Sequence, residues 1–177
     1  MDFSLTQEQV DAIESTDCGK YSHDPQHWIT EMLDRALELG MNRGGQKLWC
    51  LDLDSNIPYF AWVAGKYGHD VLSVGDPMYA DAADVLGCEF VPRPMSTAPH
   101  RFDLVTVFDP SCDNESEFKQ EMVTTFSLLV PTGRLVVAPH LGYLGNVWRN
   151  IAWWQEFIPD EEAKAEKNRD WIVLTAK

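Results

Sequence analysis

The chain has 177 residues, of which 45% are hydrophobic and 11% aromatic. This length is enough for one globular domain with a substantial core and too short for two ordinary domains. Fourteen Lys and Arg residues against 28 Asp and Glu residues give a formal net charge of -14, and such a surface repels nucleic acids and anionic membranes. No apolar run is long enough to cross a bilayer and the start carries no basic region, so we expect a cytoplasmic protein.

The cysteine pattern argues against both a disulfide framework and a metal site. No CxxC pair occurs, and the spacing of Cys18, His23 and His27 matches no zinc pattern with a second ligand pair. We therefore expect no metal and mostly buried, reduced thiols. The four cysteines are Cys18, Cys50, Cys88 and Cys112.

Helices are predicted in residues 1–46. Thr6 and Gln9 form the pattern of a capping box at the start of a short first helix. A second helix is predicted to begin at the Asp24 cap with Pro25 in its first turn, and Gly40 supplies a left-handed stop. Its expected apolar face consists of Ile29, Met32, Leu33, Ala36 and Leu37.

Strands and helices alternate in residues 47–177. Strands are predicted at KLWCLDL, DVLSVG, CEFVP, FDLVTVF, RLVVAP and DWIVLTAK. Helices are predicted at YFAWVAGKYG, YADAADVLG, ESEFKQEMVTTFSLLVPTG and LGYLGNVWRNIAWWQEFI. This alternation predicts a single α/β domain, a three-layer αβα sandwich whose first five strands are parallel in the order 3-2-1-4-5, with one or two C-terminal edge strands.

Two further expectations concern the C-terminal third of the chain. The charged stretch DEEAKAEKNRD is predicted to be a loop or solvated face, so one edge strand is expected to be absent or replaced by something short. Trp148, Trp153 and Trp154 crowd the last predicted helix, and one helix face cannot easily bury all three. The excess predicts either a protein partner or a homodimer through the helix over 144–158.

Polar residues collect just after the predicted strands. In parallel sheets ligands bind beyond the carboxyl ends of the strands, so these residues are candidates for a binding site. A carboxylate such as Asp76, closing the second strand, can accept hydrogen bonds from both ribose hydroxyls. The candidates after the first two strands are Asp52, Asp54, Ser55, Asn56, Tyr59, Asp76 and Pro77. Those after the fourth and fifth are Asp109, His140 and Tyr143.

The segment from Lys47 to Pro139 resembles the Rossmann-like S-adenosylmethionine-dependent methyltransferases. LWCLDLDSNIPYFAWVAGKYGHDVLSVGDP is similar to their opening motif, FDLVTVFD to their fourth strand, and LLVPTGRLVVAP to the turn into their fifth. The resemblance implies S-adenosylmethionine as cofactor, with Asp52 as the first-motif acid and Asp76 as the ribose-binding acid. It also implies that residues 54–59 hold the methionine end, with Asp109 beside the transferred methyl group.

The loop DLDSNIP departs from that family pattern. Asp54 and Pro58 occupy positions where the family carries glycine, which lets the backbone approach the ligand closely. Pro58 is expected at the first helical position, where proline suits the fold although it removes an N–H donor. The loop therefore predicts a retained strand-to-helix turn that binds the cofactor weakly or not at all.

The sequence leads to three hypotheses about function. The first is a methyltransferase acting on a small molecule, with Asp109, His140 or Tyr143 orienting or deprotonating the acceptor. The second is an inactive relative that serves as a binding or regulatory module. The third, a nicotinamide-dependent dehydrogenase, is disfavoured because the chain lacks GxGxxG.

Overall fold

The structure is a computed structural model that describes residues 1–16, 19–53, 56–93, 101–108, 110, 112–139, 141–168 and 170–177. Among these residues no helix has the length and apolar character needed to span a membrane. The helices are α1 Gln7–Ser15, α2 Pro25–Glu38, α3 Tyr59–Lys66, α4 Ala80–Leu86, α5 Glu115–Phe126 and α6 Ile151–Gln155. The strands are β1 Trp49–Leu53, β2 Asp70–Gly75, β3 Glu89–Pro92, β4 Phe102–Phe108, β5 Leu129–Ala138, β6 Ala163–Asn168 and β7 Trp171–Ala176.

The seven strands form one mixed sheet in the order β3-β2-β1-β4-β5-β7-β6, with helices on both sides. The β1–β2, β2–β3 and β4–β5 pairs are parallel, whereas β7 runs antiparallel to both β5 and β6. This confirms the predicted fold class and strand order. The chain divides into two compact units, Met1–Ser96 and Thr97–Lys177.

The N-terminal helices begin where their caps predict. The Thr6 Oγ1 accepts the Gln9 N–H at 3.2 Å, and the Gln9 Oε1 accepts the Thr6 N–H at 3.1 Å, which completes the capping box of α1. Asp24 caps α2, and Gly40 adopts the left-handed conformation at φ 77°. Leu37 was wrongly expected in the apolar face: it is 38% exposed, because the buried stripe is narrower than the sequence suggested.

The C-terminal pair of strands corrects the expectation for the charged tail. β6 occupies Ala163–Asn168, inside the stretch predicted to be a loop or solvated face. Its Ala163 is buried while Lys164 and Glu166 are exposed, a pattern with small residues inward and charges outward. Such charges suit an edge strand because they oppose pairing with another chain. The strand was missed because alanine, lysine and glutamate are poor strand formers.

α5 ends and β5 begins earlier in the chain than the sequence predicted. α5 ends at Phe126, so Leu129 lies in β5 and not in the helix where it was expected. β4 pairs Phe102 with Leu129 and Leu104 with Arg134, so β5 accommodates three extra residues in a bulge. Within the bulge Thr132 has φ 67°, and a Cβ on Gly133 would lie 2.9 Å from the Phe102 and Val130 carbonyl oxygens.

The tryptophan-rich segment is not the single long helix that was expected. It forms two 3₁₀ turns, Gly142–Leu144 and Val147–Arg149, before the short α6, because Gly145 adopts φ 53° and interrupts the helical path. The break lets Trp148, Trp153 and Trp154 all be buried, at 6%, 5% and 0% exposure. The Trp154 Nε1 donates to the Trp148 carbonyl at 2.6 Å. The surplus of exposed indoles that predicted a homodimer through residues 144–158 is therefore absent from this described segment.

We expect Gly133→Ala to destabilise the protein by about 1–3 kcal/mol, since the added methyl group meets two backbone carbonyls that cannot move independently of the sheet. Gly142→Ala is the matched control, because a Cβ there meets no atom within 4 Å. Urea denaturation measures both. Equal unfolding free energies for the two variants would contradict this account of the bulge.

Candidate functional site

The first set of candidate residues lies in the unit Met1–Ser96, at the carboxyl ends of β1 and β2. Asp52, the penultimate residue of β1, is 2% exposed and stands in register with Ser73 of β2. Burial, together with the negative charge of Asp52, raises the pKa of the Cys88 thiol to about 12. The Cys88 Sγ lies 3.7 Å from the Pro58 carbonyl oxygen. A buried carboxylate therefore lies behind the loop that follows β1.

Asp76 is the exposed carboxylate at the end of β2. It directly follows Gly75, the last residue of the strand, and caps the 3₁₀ turn Pro77–Tyr79. Its Oδ1 accepts the Met78 N–H at 2.9 Å. The Arg93 N–H donates to the Gly75 carbonyl at 2.9 Å and ties this strand end to β3. Asp76 is thus oriented by the backbone while its carboxylate faces solvent, and Pro77 beside it is also exposed.

α3 starts one residue later in the chain than predicted. Pro58 is the cap before the helix and not its first residue, with φ -78° and ψ 55°. These angles are those of an inverse γ-turn. The Tyr59 N–H donates back to the Ile57 carbonyl at 2.7 Å, and the first helical bond runs from the Trp62 N–H to the Pro58 carbonyl at 3.0 Å.

The γ-turn reduces the number of backbone donors available at the start of α3. A helix normally presents unsatisfied N–H groups at its first positions, and these bind anions. Here Pro58 has no N–H and the N–H of Tyr59 is already engaged. Among the described residues no side chain caps the helix either. The loop keeps its structural role, as predicted, but two of its donors are lost to a ligand.

Tyr59 and Asn56 complete the described part of the loop. Tyr59 is 3% exposed, and its hydroxyl donates to the Tyr21 carbonyl at 2.7 Å. Its polar end therefore serves the N-terminal segment, whereas Asn56 is half-buried. The remaining loop candidates, Asp54 and Ser55, lie outside the described residues.

The second set of candidates lies in the unit Thr97–Lys177, after β4 and β5. Asp109 and His140 lie outside the described residues, and Tyr143 is 43% exposed. Partial burial, and then the nearby Cys112, Glu117, Asp113 and Glu121, raise the pKa of Tyr143 to about 12. The Tyr143 hydroxyl is therefore protonated at neutral pH.

Sequence reasoning missed the anchoring of the segment after β4. The Cys112 Sγ donates to the Glu121 Oε2 at 2.7 Å, and the Asp113 N–H donates to the Glu117 Oε2 at 2.8 Å. Both carboxylates belong to α5, so this helix fixes the backbone that follows Asp109. The four-residue spacing of Glu117 and Glu121, which places them on one helix face, was the available signal.

No family model and no curated protein sequence matches the chain. Solved structures do match. CalS10 from Micromonospora echinaspora, an amino pentose methyltransferase with S-adenosylmethionine bound, has a TM-score of 0.65 and 14% identity over 100% of this chain and 99% of that chain. A TehB-like S-adenosylmethionine-dependent methyltransferase from Corynebacterium glutamicum has a TM-score of 0.62 and 15% identity over 90% and 97%. The protein PH0226 from Pyrococcus horikoshii OT3 has a TM-score of 0.61 and 16% identity over 97% and 98%.

The chain has the Rossmann-like fold of S-adenosylmethionine-dependent methyltransferases. In open α/β sheets ligands bind beyond the carboxyl ends of the strands, near the point where the strand order reverses. The residues at the carboxyl ends of β1 and β2 fit S-adenosylmethionine in part. Asp76 suits ribose hydroxyls, whereas the start of α3 lacks two of the donors that a ligand carboxylate would need.

The raised pKa of Cys88 predicts a pH dependence of stability. Because its pKa is about 12 in the folded chain, against 9.0 for an unperturbed cysteine thiol, the folded state holds this proton more tightly. Its contribution is fully present below pH 9.0 and is lost as pH rises toward 12. We expect the stability advantage of wild type over Cys88→Ala, measured by urea denaturation under reducing conditions, to shrink from about pH 8 to about pH 10. A pH-independent difference would contradict the assignment.

Proposed function

We propose that this protein binds an adenosine-containing ligand of the S-adenosylmethionine type and acts as a methyltransferase on a small molecule. The observation that carries the proposal is Asp76, an exposed carboxylate oriented by the Met78 N–H at the end of β2. A carboxylate at this position of a dinucleotide-type fold accepts hydrogen bonds from ribose hydroxyls. The likeness to solved methyltransferase structures supports the same placement.

In this proposal the protein contributes positioning. The ligand supplies a methyl group already activated by the sulfonium, so the chain must bring an acceptor into line with it. Tyr143, neutral below its raised pKa of about 12, would orient the acceptor by donating a hydrogen bond. Asp109 and His140 are the candidates for accepting the acceptor's proton.

The proposed acceptor is a small molecule and not a nucleic acid. The formal net charge of -14 opposes approach to a phosphate backbone. CalS10, which is similar over its whole length, is an amino pentose methyltransferase. We also propose a cytoplasmic location, because none of the described cysteines Cys50, Cys88 and Cys112 forms a disulfide, as expected in a reducing compartment.

A binding module without transferase activity is the second candidate, and the γ-turn at Pro58 favours it. If the loop no longer holds the methionine end, the methyl group is not positioned even when the nucleoside binds. Incubation with methyl-labelled S-adenosylmethionine and a panel of amine, hydroxyl and thiol acceptors separates the two candidates. Label transferred to an acceptor supports the methyltransferase, and nucleoside binding without transfer supports the module.

We expect Asp76→Ala to weaken the binding of 5′-methylthioadenosine by about 1.5–3 kcal/mol, the range for charge-assisted hydrogen bonds. Isothermal titration calorimetry measures the affinity. Asp84→Ala is the matched control. Asp84 is exposed on α4, so the substitution removes the same charge elsewhere in the unit. Equal affinities of wild type and Asp76→Ala would remove Asp76 from the site. No heat with any adenosine ligand at millimolar concentration would overturn the proposed function.

A further inference from the structure

We propose that a cavity at the amino ends of β1, β2 and β3 is a second binding site, whose ligand is an organic cation with an apolar body and an ammonium group. The cavity has a volume of about 750 Å³, which lies in the range of small-molecule sites. The first residues of the three strands, Trp49, Asp70 and Glu89, line it, and the whole lining belongs to the unit Met1–Ser96. Asp76 follows the carboxyl end of β2, so the cavity lies at the opposite end of that strand from the ribose-binding candidate.

The cavity lies where the helices leave part of an inner strand uncovered. β2 lies between β1 and β3, and strands in that position of a parallel sheet are normally covered on both faces. Its Val71 and Leu72 are nevertheless only half-buried, and both line the cavity. Ala61 of α3 and Leu86 of α4 line it as well. A ligand with a hydrocarbon body would bury this apolar surface, which favours binding.

Gly65, in the last turn of α3, leaves space at the wall of the cavity that the fold itself does not require. Its φ lies outside the left-handed region, and a Cβ at this position would meet no described atom within 4 Å. Glycine is less favourable than alanine inside a helix. Neither the backbone conformation nor the packing of the described residues accounts for this glycine, whereas a ligand beside it would.

Several polar groups of the lining are already bound to the protein's own backbone. The His69 Nδ1 accepts the Leu48 N–H at 3.2 Å, and its Nε2 lies 2.9 Å from the Met41 carbonyl oxygen, so both ring nitrogens are engaged. The Gln9 Nε2 donates to the Val85 carbonyl at 3.3 Å. The charged groups that remain for a ligand are the carboxylates and the one ammonium group of the lining.

The charges at the cavity favour a cation. No described ion pair includes Glu89, whereas Asp70 pairs with Lys47 at 2.7 Å. The Lys66 Nζ lies 4.9 Å from the centroid of the Trp62 ring, which shows that an ammonium group packs against this wall. α3 and α4 both end at the cavity, and the carbonyl ends of helices attract positive charge. An ammonium group on the ligand therefore has a carboxylate to bind, and an anion would be repelled.

The test compares two probes that share a phenyl body and carry opposite charges, phenethylammonium and phenylacetate. Each is titrated near neutral pH into the full chain, and the NMR shifts of the Gly65, Gly87 and Glu89 amides are followed. We expect phenethylammonium to shift these amides saturably at millimolar concentration and phenylacetate to leave them unchanged. No saturable shift of these amides with phenethylammonium, or equal or tighter binding of phenylacetate, would overturn the inference and leave the proposed function standing.

Gly65→Leu tests the location of the ligand. The added side chain fills part of the cavity, so we expect the affinity for phenethylammonium to fall about tenfold or more. Ala152→Leu, at an exposed position of α6 in the other unit, is the matched control and should keep the wild-type affinity. An unchanged affinity in a folded Gly65→Leu variant would overturn the inference.

Glu89→Gln tests the charge, and it decides the inference if Gly65→Leu does not fold. We expect a loss of affinity for phenethylammonium of about two- to fivefold, the range for an exposed ion pair. Glu161→Gln removes the same charge at an exposed position of the other unit and should have no effect. Equal affinities of the Glu89→Gln and Glu161→Gln variants would contradict the role of this carboxylate.

Discussion

The hydrogen bond from the Tyr59 N–H to the Ile57 carbonyl, 2.7 Å long, fixes how the chain passes from β1 into α3. The ring of Pro58 holds φ near the -78° that this turn adopts. The turn buries Ile57 and Tyr59 and directs the Tyr59 hydroxyl to the Tyr21 carbonyl, so the N-terminal segment depends on it as well. The same bond engages the Tyr59 N–H at the start of α3.

The two ends of the candidate site consequently respond to different constraints. The Asp76 turn depends on one backbone hydrogen bond to an exposed carboxylate and remains compatible with a ribose. The turn at Pro58 satisfies the needs of folding within the loop itself: a fixed φ, a buried flank and a paired N–H. At this turn the requirements of folding and of ligand binding differ. Folding needs only a start for the helix, whereas a ligand carboxylate needs available N–H donors.

Local patterns with their own physical reason predicted the structure well. The capping box at Thr6, the Asp24 cap and the left-handed Gly40 follow from side-chain chemistry within one turn, and the strand order follows from the alternation of strands and helices. Features that depend on tertiary context were missed. β6 pairs through its backbone with β7 although its residues favour other structures, and the left-handed Gly145 breaks the segment that buries three tryptophans. At the site, the position of Asp76 after β2 was predicted. The γ-turn was not, because Pro58 lies one residue before the first helical position, where proline is usually favourable.

We propose that the γ-turn at Pro58 persists when the nucleoside binds. The most direct measurement is a crystal structure of the protein with 5′-methylthioadenosine. We expect the ribose hydroxyls to lie within hydrogen-bond distance of the Asp76 carboxylate while the Tyr59 N–H stays bonded to the Ile57 carbonyl. A ribose bound away from Asp76, or a Tyr59 N–H released from Ile57 and directed at the ligand, would contradict it.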